Sequence, residues 1–441
     1  MRNYFLQNKG FYTLLLAWTF IGAVVPLAAF VVVPLTILLW WRARLYDKIF
    51  IGFWFILILS DNLAFPLGFA KQVKNLYILM LGAIVFFDRK NLSPVSGIFK
   101  YFIPYLMVGF MALYASETLP VGLQKGLSYF LLIFSVPSLI LYIYRERGQE
   151  FLRELVYFGF AIIIFSILLR YYSYDLTYSH GGRLHGIFGN PNGLGIFSVV
   201  VFLLFHTTNN LFPGLYRRWF IIIFNLVVLY AIYRTGSRNA LLGSLLMLFF
   251  SRFYKLSPYV GFMVFLITAV SFELISSNFT AIVRGLGLEE TFRVDTFEQG
   301  SGRYVAWAFA WENIQEYYFL GRGFSYDEFL MRSNYHYLSK LGHEGGVHNT
   351  YLIIWLNAGL VGVVLFFRAV LLLFIKGGKK SPIAFPVLFT VLFSIAFEPW
   401  LAASLNPYTI VFFIISTLLF EDEIIPKPLD EEESQEIQEA A

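Results

Sequence analysis

Residues 351–375 read YLIIWLNAGLVGVVLFFRAVLLLFI, and this stretch decides the fold class of the chain. Arg368 is its one charged residue, and the run is long enough for an α-helix to cross about 30 Å of hydrocarbon at about 1.5 Å per residue. A lipid-facing β-strand would alternate apolar and polar residues, and this stretch does not. We therefore predict a membrane-spanning helix here.

The rest of the chain has the same character. Of its 441 residues, 58% are hydrophobic, 20% are aromatic and 14% are charged, and the mean hydropathy is +0.67. A soluble domain of this length would be far more polar, so we predict an all-α integral membrane protein with about 12–14 transmembrane helices. The predicted spans are residues 11–24, 26–41, 49–63, 74–87, 100–116, 121–144, 151–172, 193–211, 217–233, 239–251, 258–275, 351–375, 382–398 and 404–420.

The spans divide the sequence into four parts of one integrated domain. They are an N-terminal transmembrane bundle (1–275), a large loop (276–350), C-terminal transmembrane helices (351–420) and an acidic tail (421–441) that is expected to be disordered. The net charge is +5, but the Lys and Arg residues lie in short connections between apolar spans, so no nucleic-acid partner is predicted. The chain has no cysteine, which excludes disulfides and thiolate sites.

Positive charge concentrates in alternate connections, and this pattern predicts the orientation of the helices. Short cytoplasmic loops carry the excess of Lys and Arg, so these connections and the acidic tail are predicted to lie on the cytoplasmic side of the membrane. The remaining connections, including 173–192, 235–239 and the large loop, then face outward. The basic connections contain Arg42, Arg44, Lys48, Arg89, Lys90, Arg145, Arg147, Arg217, Arg218, Arg252, Lys255, Lys376, Lys379 and Lys380.

The outward-facing connections hold the candidate functional residues. Arginine in an outer loop is not explained by the positive-inside rule, so cations and an imidazole are predicted to converge at one membrane surface. Each of the three catalytic candidates also has a non-catalytic interpretation. Arg238 could anchor a lipid headgroup, Arg303 could form a salt bridge within the loop, and His348 could form a hydrogen bond at the start of a helix. The catalytic candidates are Arg238, Arg303 and His348, and the substrate-binding candidates are Arg183, His185, Asn190, Arg322 and Asn349.

Such a set of residues fits a lipid diphosphate as ligand. Guanidinium groups bind phosphate oxygens in paired geometry, and a neutral histidine at the same surface can accept the proton of an attacking sugar hydroxyl. These groups predict a transferase with a diphosphate leaving group, in which arginine stabilises the departing charge. The outer loops contain no Asp-x-Asp or His-Glu-x-x-His spacing, and no phosphate-binding glycine loop follows a strand, so neither a metal nor another cofactor is predicted.

Two short motifs give the sequence a resemblance to a known family. Residues 238–242 (RNALL) fit an Arg-x-x-x-Leu element, and His348-Asn349 is followed after nine residues by the sequence GLVG at 359–362. In order and sidedness these motifs resemble the O-antigen ligase and polymerase superfamily, membrane glycosyltransferases that use lipid-linked glycans on the periplasmic side. The resemblance covers most of the chain as topology and is sharpest from Arg183 to Gly362.

The resemblance implies a GT-C-like helical fold with a lateral opening for the lipid, and inverting transfer of a glycan from undecaprenyl diphosphate. It implies that the outer arginines bind the diphosphate, with Arg303 as a further arginine of the large loop, and that His348 lies near the acceptor. The His-Asn motif favours a ligase, whose acceptor is a lipid A-core sugar. The alternative within the family is an O-antigen or exopolysaccharide polymerase, whose acceptor is another lipid-linked repeat.

Two functions of other classes stay open on the sequence. A transporter of lipid-linked glycans would have a similar number of helices, but such proteins usually hold charges inside the bundle and show repeated halves. Here Arg170, Glu273, Arg368 and Glu398 fall near predicted span ends, where snorkelling of the side chain explains them, and no internal repeat is evident. A non-catalytic scaffold of an envelope assembly is the other alternative, and it would tolerate the loss of His348.

Overall fold

The structure is a computed structural model that describes residues 2–179, 181–254 and 303–424, together with isolated residues between 257 and 285. Apart from turns and one isolated bridge between Tyr178 and Leu184, regular structure in these ranges is helical. The helices are α1 (Arg2–Gln7), α2 (Lys9–Val24), α3 (Pro26–Arg42), α4 (Tyr46–Asp61), α5 (Phe69–Phe87), α6 (Phe99–Ala112), α7 (Leu119–Arg147), α8 (Gln149–Leu168), α9 (Pro191–Leu211), α10 (Arg218–Thr235), α11 (Arg238–Tyr254), α12 (Arg303–Glu316), α13 (Tyr326–Ser333), α14 (Tyr335–Lys340), α15 (Thr350–Gly378), α16 (Ala384–Phe397) and α17 (Thr409–Phe420).

The helices confirm an all-α integral membrane protein. In the described part of the chain six helical segments are long and apolar enough to cross a membrane, and five more are apolar but shorter. The expected number of about 12–14 crossings stays a prediction. Most of the predicted span at 258–275 lies outside the described residues, and so do 276–302 of the large loop, except residue 285, and 425–441 of the acidic tail. The six long segments are Phe65–Phe87, Leu119–Arg147, Gln149–Tyr171, Pro191–Leu211, Arg218–Thr235 and Thr350–Gly378.

The centre of the bundle is built from helices that are apolar on every side. Nearly all side chains of α4 and α17 are buried, and 83% of the apolar segment of α9 lies inside the protein. A helix with no polar face is buried by its neighbours, which here include α5, α7 and α8. By contrast only 33% of the apolar segment of α10 is buried, so α10 lies at the periphery and faces lipid.

Polar contacts mark the two ends of the bundle. At one end the guanidinium of Arg147 donates to Asp47 Oδ2 at 2.7 Å and to Glu154 Oε1 at 2.6 Å, and Arg145 pairs with Glu423. We call this the basic end, because it holds the Lys and Arg residues that were assigned to the cytoplasm. Helix α10 starts there and runs to Thr235 at the other end, which we call the site end. The two groups of connections are therefore separated as the charge pattern predicted, and which end faces the cytoplasm stays a prediction.

Helix α15 is interrupted at Gly359, where φ is 66° and ψ is −175°. The chain that follows α12 docks against this break, because Leu360 N–H donates to the carbonyl of Tyr318 at 2.8 Å and Val361 N–H donates to that of Phe319 at 3.2 Å. A Cβ on Gly359 would lie 2.2 Å from the Phe319 carbonyl, so the close approach requires glycine. The GLVG motif thus joins a transmembrane helix to the large loop.

The described part of the large loop is a small helical layer on α15. Helices α12, α13 and α14 share an apolar cluster with the first turns of α15. This layer covers the site end and brings the start of α12 close to the start of α15. The buried members of the cluster are Ala306, Ala310, Ile314, Tyr326, Leu330, Met331, Leu338, Val347, Ile353 and Leu356.

Candidate functional site

Glu398 joins two of the predicted catalytic residues. Arg303 Nη2 donates to Glu398 Oε1 at 3.1 Å, and His348 Nδ1 lies 3.9 Å from Glu398 Oε2. The side chain of Glu398 is only 4% exposed, whereas Arg303 and His348 are 24% and 35% exposed. A buried carboxylate therefore lies beneath a cation and an imidazole that both reach the surface of the site end.

Three helix ends create this arrangement. Arg303 is the first residue of α12, His348 precedes α15 by two residues, and Glu398 directly follows α16. Thr350 Oγ1 donates to the carbonyl oxygen of Glu398 at 2.8 Å, which fixes the start of α15 against the end of α16. Trp307 Nε1 donates to the carbonyl of Val347 at 2.9 Å and so holds α12 against the segment that carries His348.

The backbone at His348 directs its ring. His348 has a φ of 50°, in the left-handed region that histidine adopts more readily than bulky residues do. The next residue, Asn349, caps α15, because its side-chain oxygen accepts from Leu352 N–H at 3.1 Å. The Nδ1 atom of His348 faces Glu398. The Nε2 atom points toward Gly345, since a Cβ added to Gly345 would lie 3.2 Å from it.

The sequence-based interpretation of Glu398 as a snorkelling side chain is wrong. A snorkelling carboxylate reaches water, but Glu398 is 4% exposed and is held by Arg303. The signal that could have identified it is an acidic residue at the end of the apolar run AFPVLFTVLFSIAF, because ionisable groups at membrane depth are usually functional. Of the other three residues in that interpretation, Arg170 and Arg368 are on the surface and Glu273 lies outside the described residues.

Arg183 lies in the hairpin that packs against the end of α10. Its Nε donates to the carbonyl of Thr235 at 2.7 Å, and its Nη2 donates to Asn192 Oδ1 at 2.8 Å. Gly236 follows with a φ of 57°, and a Cβ there would be 3.3 Å from Arg183 Nε. These contacts orient the guanidinium at the point where α10 turns into α11.

Arg238 opens α11 two residues beyond that turn and is half-buried. Its neighbour Asn239 donates through Nδ2 to the carbonyl of Ser394 at 3.1 Å, and Ser394 lies one turn before Glu398 on α16. The start of α11 and the end of α16 are therefore in contact. Arg183, Arg238 and the Glu398 group consequently lie along one face of the site end.

The structure gives the other substrate-binding candidates local partners. His185 Nδ1 lies 2.8 Å from the carbonyl oxygen of Phe188, and the side-chain oxygen of Asn190 caps α9 by accepting from Gly193 N–H at 2.9 Å. Arg322 donates to Glu117 Oε1 at 2.7 Å and lies 4.0 Å over the Tyr317 ring, and no described contact brings it to Glu398. Their roles in substrate binding stay predictions.

A second polar group, which the sequence-based candidates do not include, lies beneath the site end. Asp61 is the last residue of α4, and Tyr408 directly precedes α17. Both side chains lie close to Gly193, because a Cβ added to Gly193 would lie 3.0 Å from Asp61 Oδ2 and 2.9 Å from the Tyr408 hydroxyl. Lys74 Nζ, on α5, donates to the carbonyl of Leu405 at 2.9 Å in the same region. Charged residues within otherwise apolar spans were the signal for this group.

In the ranges that the structure describes, no three His, Asp or Glu side chains are grouped so that they could hold a metal ion. The group formed by Arg303, Glu398 and His348 contains one carboxylate and one imidazole beside a cation, which is a poor donor set for a divalent ion. Metal-independent chemistry stays a prediction.

Comparison with known proteins finds a family similarity for one part of the chain. The sequence matches no curated protein at a significant level. Residues 223–367 match the family model described as O-antigen ligase, and the matched range includes Arg238, Arg303 and His348 while Arg183 and Glu398 lie outside it. Members of this family are glycosyltransferase-like enzymes of lipopolysaccharide biosynthesis that act on lipid-linked glycans. Residues 223–367, about a third of the chain, are therefore similar to the O-antigen ligase family.

Proposed function

We propose that the protein is an O-antigen ligase-type glycosyltransferase. It moves a glycan from undecaprenyl diphosphate to a sugar hydroxyl of the lipid A-core at the periplasmic face of the inner membrane, with inversion at the anomeric carbon and without a metal. The observation that carries this proposal is the pair of contacts that Arg303 and His348 make with the buried Glu398. The similarity of residues 223–367 to the O-antigen ligase family supports the reaction class.

His348 is the proposed general base. Its Nδ1 faces Glu398, so Nε2 is the ring atom that accepts the proton of the acceptor hydroxyl. As the acceptor oxygen bonds to the anomeric carbon, Glu398 stabilises the imidazolium that forms, in the way that a buried carboxylate supports the histidine of a hydrolase triad. The distance of 3.9 Å is longer than a hydrogen bond, and contacts of this kind often shorten when substrate binds.

The arginines stabilise the leaving group. When the bond between the anomeric carbon and the diphosphate oxygen breaks, negative charge develops on the diphosphate. Arg303 gives one N–H group to Glu398 and retains others that can donate to phosphate oxygens, because a guanidinium has five N–H groups. Arg183 and Arg238, on the same face, supply further positive charge.

The distribution of charge favours an enzyme over a transporter. The charged residues of α4 lie at its two ends and α9 has no Lys, Arg, Asp or Glu, so both central helices are apolar and buried between the ends of the bundle. A transporter needs polar groups along a path through the bundle. Asp61 and Lys74 are the observation that keeps transport as an alternative, because they are charged groups within the helices, but both belong to the site end.

The test is transfer by the purified protein from an undecaprenyl-diphosphate glycan to either of two acceptors. Product on lipid A-core establishes a ligase, a ladder of lipid-linked repeats establishes a polymerase, and no product on either acceptor refutes the proposal and favours transport. His348→Asn keeps a residue that tolerates left-handed backbone but removes the base, so we expect kcat to fall about 10²–10⁴-fold. His336→Asn, at an exposed histidine of α14, is the control.

Arg238→Gln and Arg303→Gln test the electrostatic part of the mechanism. Each removes a charge that stabilises the departing diphosphate, so we expect kcat to fall roughly 10²-fold or more for each. Arg332→Gln, at an exposed arginine of α13, is the matched control. Undiminished transfer by His348→Asn and by both arginine variants would overturn the roles assigned to these three residues.

A further inference from the structure

A short segment between α14 and α15 carries a histidine at each end. It is residues 343–348 (HEGGVH), and we call it the histidine arch. His343 is only 3% exposed, and its backbone N–H donates to the carbonyl of Leu338 at 2.9 Å. The other end is held by Trp307, which donates to the carbonyl of Val347. The arch therefore keeps two imidazole rings in fixed positions at the site end.

The two rings face a common gap. Their centres are 6.4 Å apart and their planes are nearly perpendicular, at 85°. A Cβ added to Gly345 would lie 3.2 Å from His348 Nε2 and 4.0 Å from His343 Cε1, so the space between the rings exists because Gly345 has no side chain. Gly345 and Gly346 are exposed, so the gap opens to water. One of its walls is the Nε2 atom to which we assign the role of general base.

The gap has the dimensions that a pair of sugar hydroxyl groups needs. A hydroxyl that gives its proton to His348 Nε2 has to lie about 2.6–3.2 Å from that atom, which places it in the gap. Neighbouring hydroxyl oxygens of a sugar ring are about as far apart as two hydrogen-bonded atoms, so a pair of them can connect rings whose centres are 6.4 Å apart. His343 Cε1 is bonded to both ring nitrogens, and an imidazole nitrogen donates or accepts a hydrogen bond.

The charges around the gap favour a neutral ligand over a phosphate. Arg303 and Glu398 lie on the Nδ1 side of the His348 ring, whereas the gap lies on the Nε2 side. The arch itself contains one carboxylate, that of the exposed Glu344, which accepts hydrogen bonds from hydroxyl groups and repels phosphate. The gap therefore suits a polyhydroxylated ligand.

We propose that the gap between His343 and His348 is the subsite for the acceptor sugar. The reacting hydroxyl lies at His348 Nε2, loses its proton to that atom and bonds to the anomeric carbon of the donor. The neighbouring hydroxyl stays intact and forms a hydrogen bond with His343, so His343 selects acceptors that carry two adjacent hydroxyl groups. This inference rests on the proposed function for the identity of the ligand as an acceptor.

The first test pairs a variant with modified acceptors. Transfer is measured at saturating donor with the acceptor that gives product and with deoxy analogues that each lack one hydroxyl next to the reacting one. We expect one analogue to lower kcat/KM of the wild type about tenfold or more, because it leaves His343 without its partner in the complex. His343→Phe keeps a ring but has no nitrogen. It should lower kcat/KM for the parent acceptor by a similar factor, no longer discriminate against that analogue, and keep the KM for the donor.

The second test narrows the gap. Gly345→Ala places a methyl group between the two rings and should lower kcat/KM for the acceptor about tenfold or more. Gly342→Ala is the matched control, because Gly342 also has a positive φ, of 82° against 147° for Gly345, but no atom of the described residues lies within 4 Å of an added Cβ. His336→Phe, at the exposed histidine of α14, is the control for His343→Phe. Both controls should transfer as the wild type does.

The inference is wrong if His343→Phe keeps the wild-type kcat/KM for the parent acceptor, or if it still discriminates against the same deoxy analogue. Either result, with transfer by the wild type, refutes the subsite and keeps the transferase. If the wild type gives no product on either acceptor, calorimetric binding of the lipid A-core saccharide decides. Binding that His343→Phe weakens and His336→Phe does not weaken keeps the subsite without the transferase, whereas equal binding by both variants, or none by the wild type, refutes the subsite as well.

Discussion

At the scale of single residues, Glu398 is the group on which the proposed chemistry depends. It contacts His348 with one carboxylate oxygen and Arg303 with the other, and its burial removes the competition of water for both contacts. Charged contacts of this kind are stronger in a site that excludes water. Glu398 does not reach the surface, so we assign it the role of a positioning residue.

Glu398→Gln should lower kcat by about 10²-fold and change the KM for the donor much less. The amide keeps an oxygen for Arg303, but it no longer provides a negative charge to stabilise an imidazolium. Steady-state kinetics with the donor varied at saturating acceptor will separate kcat from KM. Glu312→Gln, on the exposed side of α12, is the control. A variant that merely melts earlier, with unchanged kcat for the folded fraction, would reduce Glu398 to a structural salt bridge.

The sequence pattern selected His348, Arg238 and Arg303 as candidates but did not select Glu398, and the reason is physical. An arginine or histidine in a short outer connection is informative by its position alone, because the positive-inside rule does not account for it. The sequence does not show whether a carboxylate at the end of a span is exposed to water or buried. For Glu398 this depends on partners such as Arg303, which is 95 residues away in sequence. Hydropathy averages cannot show which way such a side chain turns.

At the scale of the helices, hydropathy located the elements because each span needs a continuous apolar run. The predicted span 351–375 corresponds to Thr350–Gly378 in the structure, and 193–211 corresponds to Pro191–Leu211. The interruption of α15 at Gly359 was not predicted. It exists because the chain near Phe319 supplies hydrogen-bond partners there, and a local sequence window contains no information on that distant segment.

Gly359→Ala should destabilise the docking of the large loop. Positive φ with extended ψ is a conformation that costs non-glycine residues about 1–3 kcal/mol, and the new Cβ would also clash with the Phe319 carbonyl. We expect faster amide hydrogen exchange in residues 318–323 and lower transfer activity, because this segment belongs to the layer that positions Arg303. Gly10→Ala, within α2 and with no atom within 4 Å of its Cβ, is the control. Unchanged exchange at 318–323 would mean that the break is not required for docking.

The stability of α13 on α15 should depend on pH through Asp327. Burial raises the pKa of Asp327, and repulsion by Glu328 raises it further. The attraction of Lys125 and the hydrogen bond that Asn357 donates to Oδ1, at 3.0 Å, lower the pKa but offset the increase only in part. Because the pKa is higher in the folded protein than in the unfolded chain, folding favours the neutral acid. This stabilisation is complete below the ordinary pKa of aspartate and is lost as the pH rises through the raised value.

Asp327→Asn should therefore reduce the pH dependence of the melting temperature and stabilise the protein most at neutral pH. The amide is neutral at every pH, and its oxygen can still accept from Asn357 Nδ2. Melting curves from the acid range up to neutral pH will compare this variant with the wild type. Asp175→Asn, at an exposed position of the loop after α8, is the control. If the wild type and Asp327→Asn lose stability in parallel as the pH rises, Asp327 is not the titrating group.

At the scale of the whole molecule, two ends with different chemistry are separated by an apolar bundle. The basic end is closed by ion pairs such as those of Arg147 with Asp47 and Glu154, while the site end exposes Arg303 and His348. The alternation of basic connections predicted this separation, because successive spans place successive connections at opposite ends. The compartment that each end faces is set by membrane insertion, so it has to be measured.

The site end should face the periplasm, and the chain offers a clean measurement because it contains no cysteine. Tyr114→Cys introduces one thiol at a fully exposed position of the site end, and Arg89→Cys introduces one at an exposed position of the basic end. A maleimide that cannot cross the membrane should label Tyr114→Cys in intact spheroplasts and Arg89→Cys only after the cells are opened, since basic connections are retained in the cytoplasm. The cysteine-free parent gives the background, and solubilised protein gives the full signal for both variants. The reverse pattern would put His348 and Arg303 on the cytoplasmic side, where the periplasmic transfer reaction proposed for them could not take place.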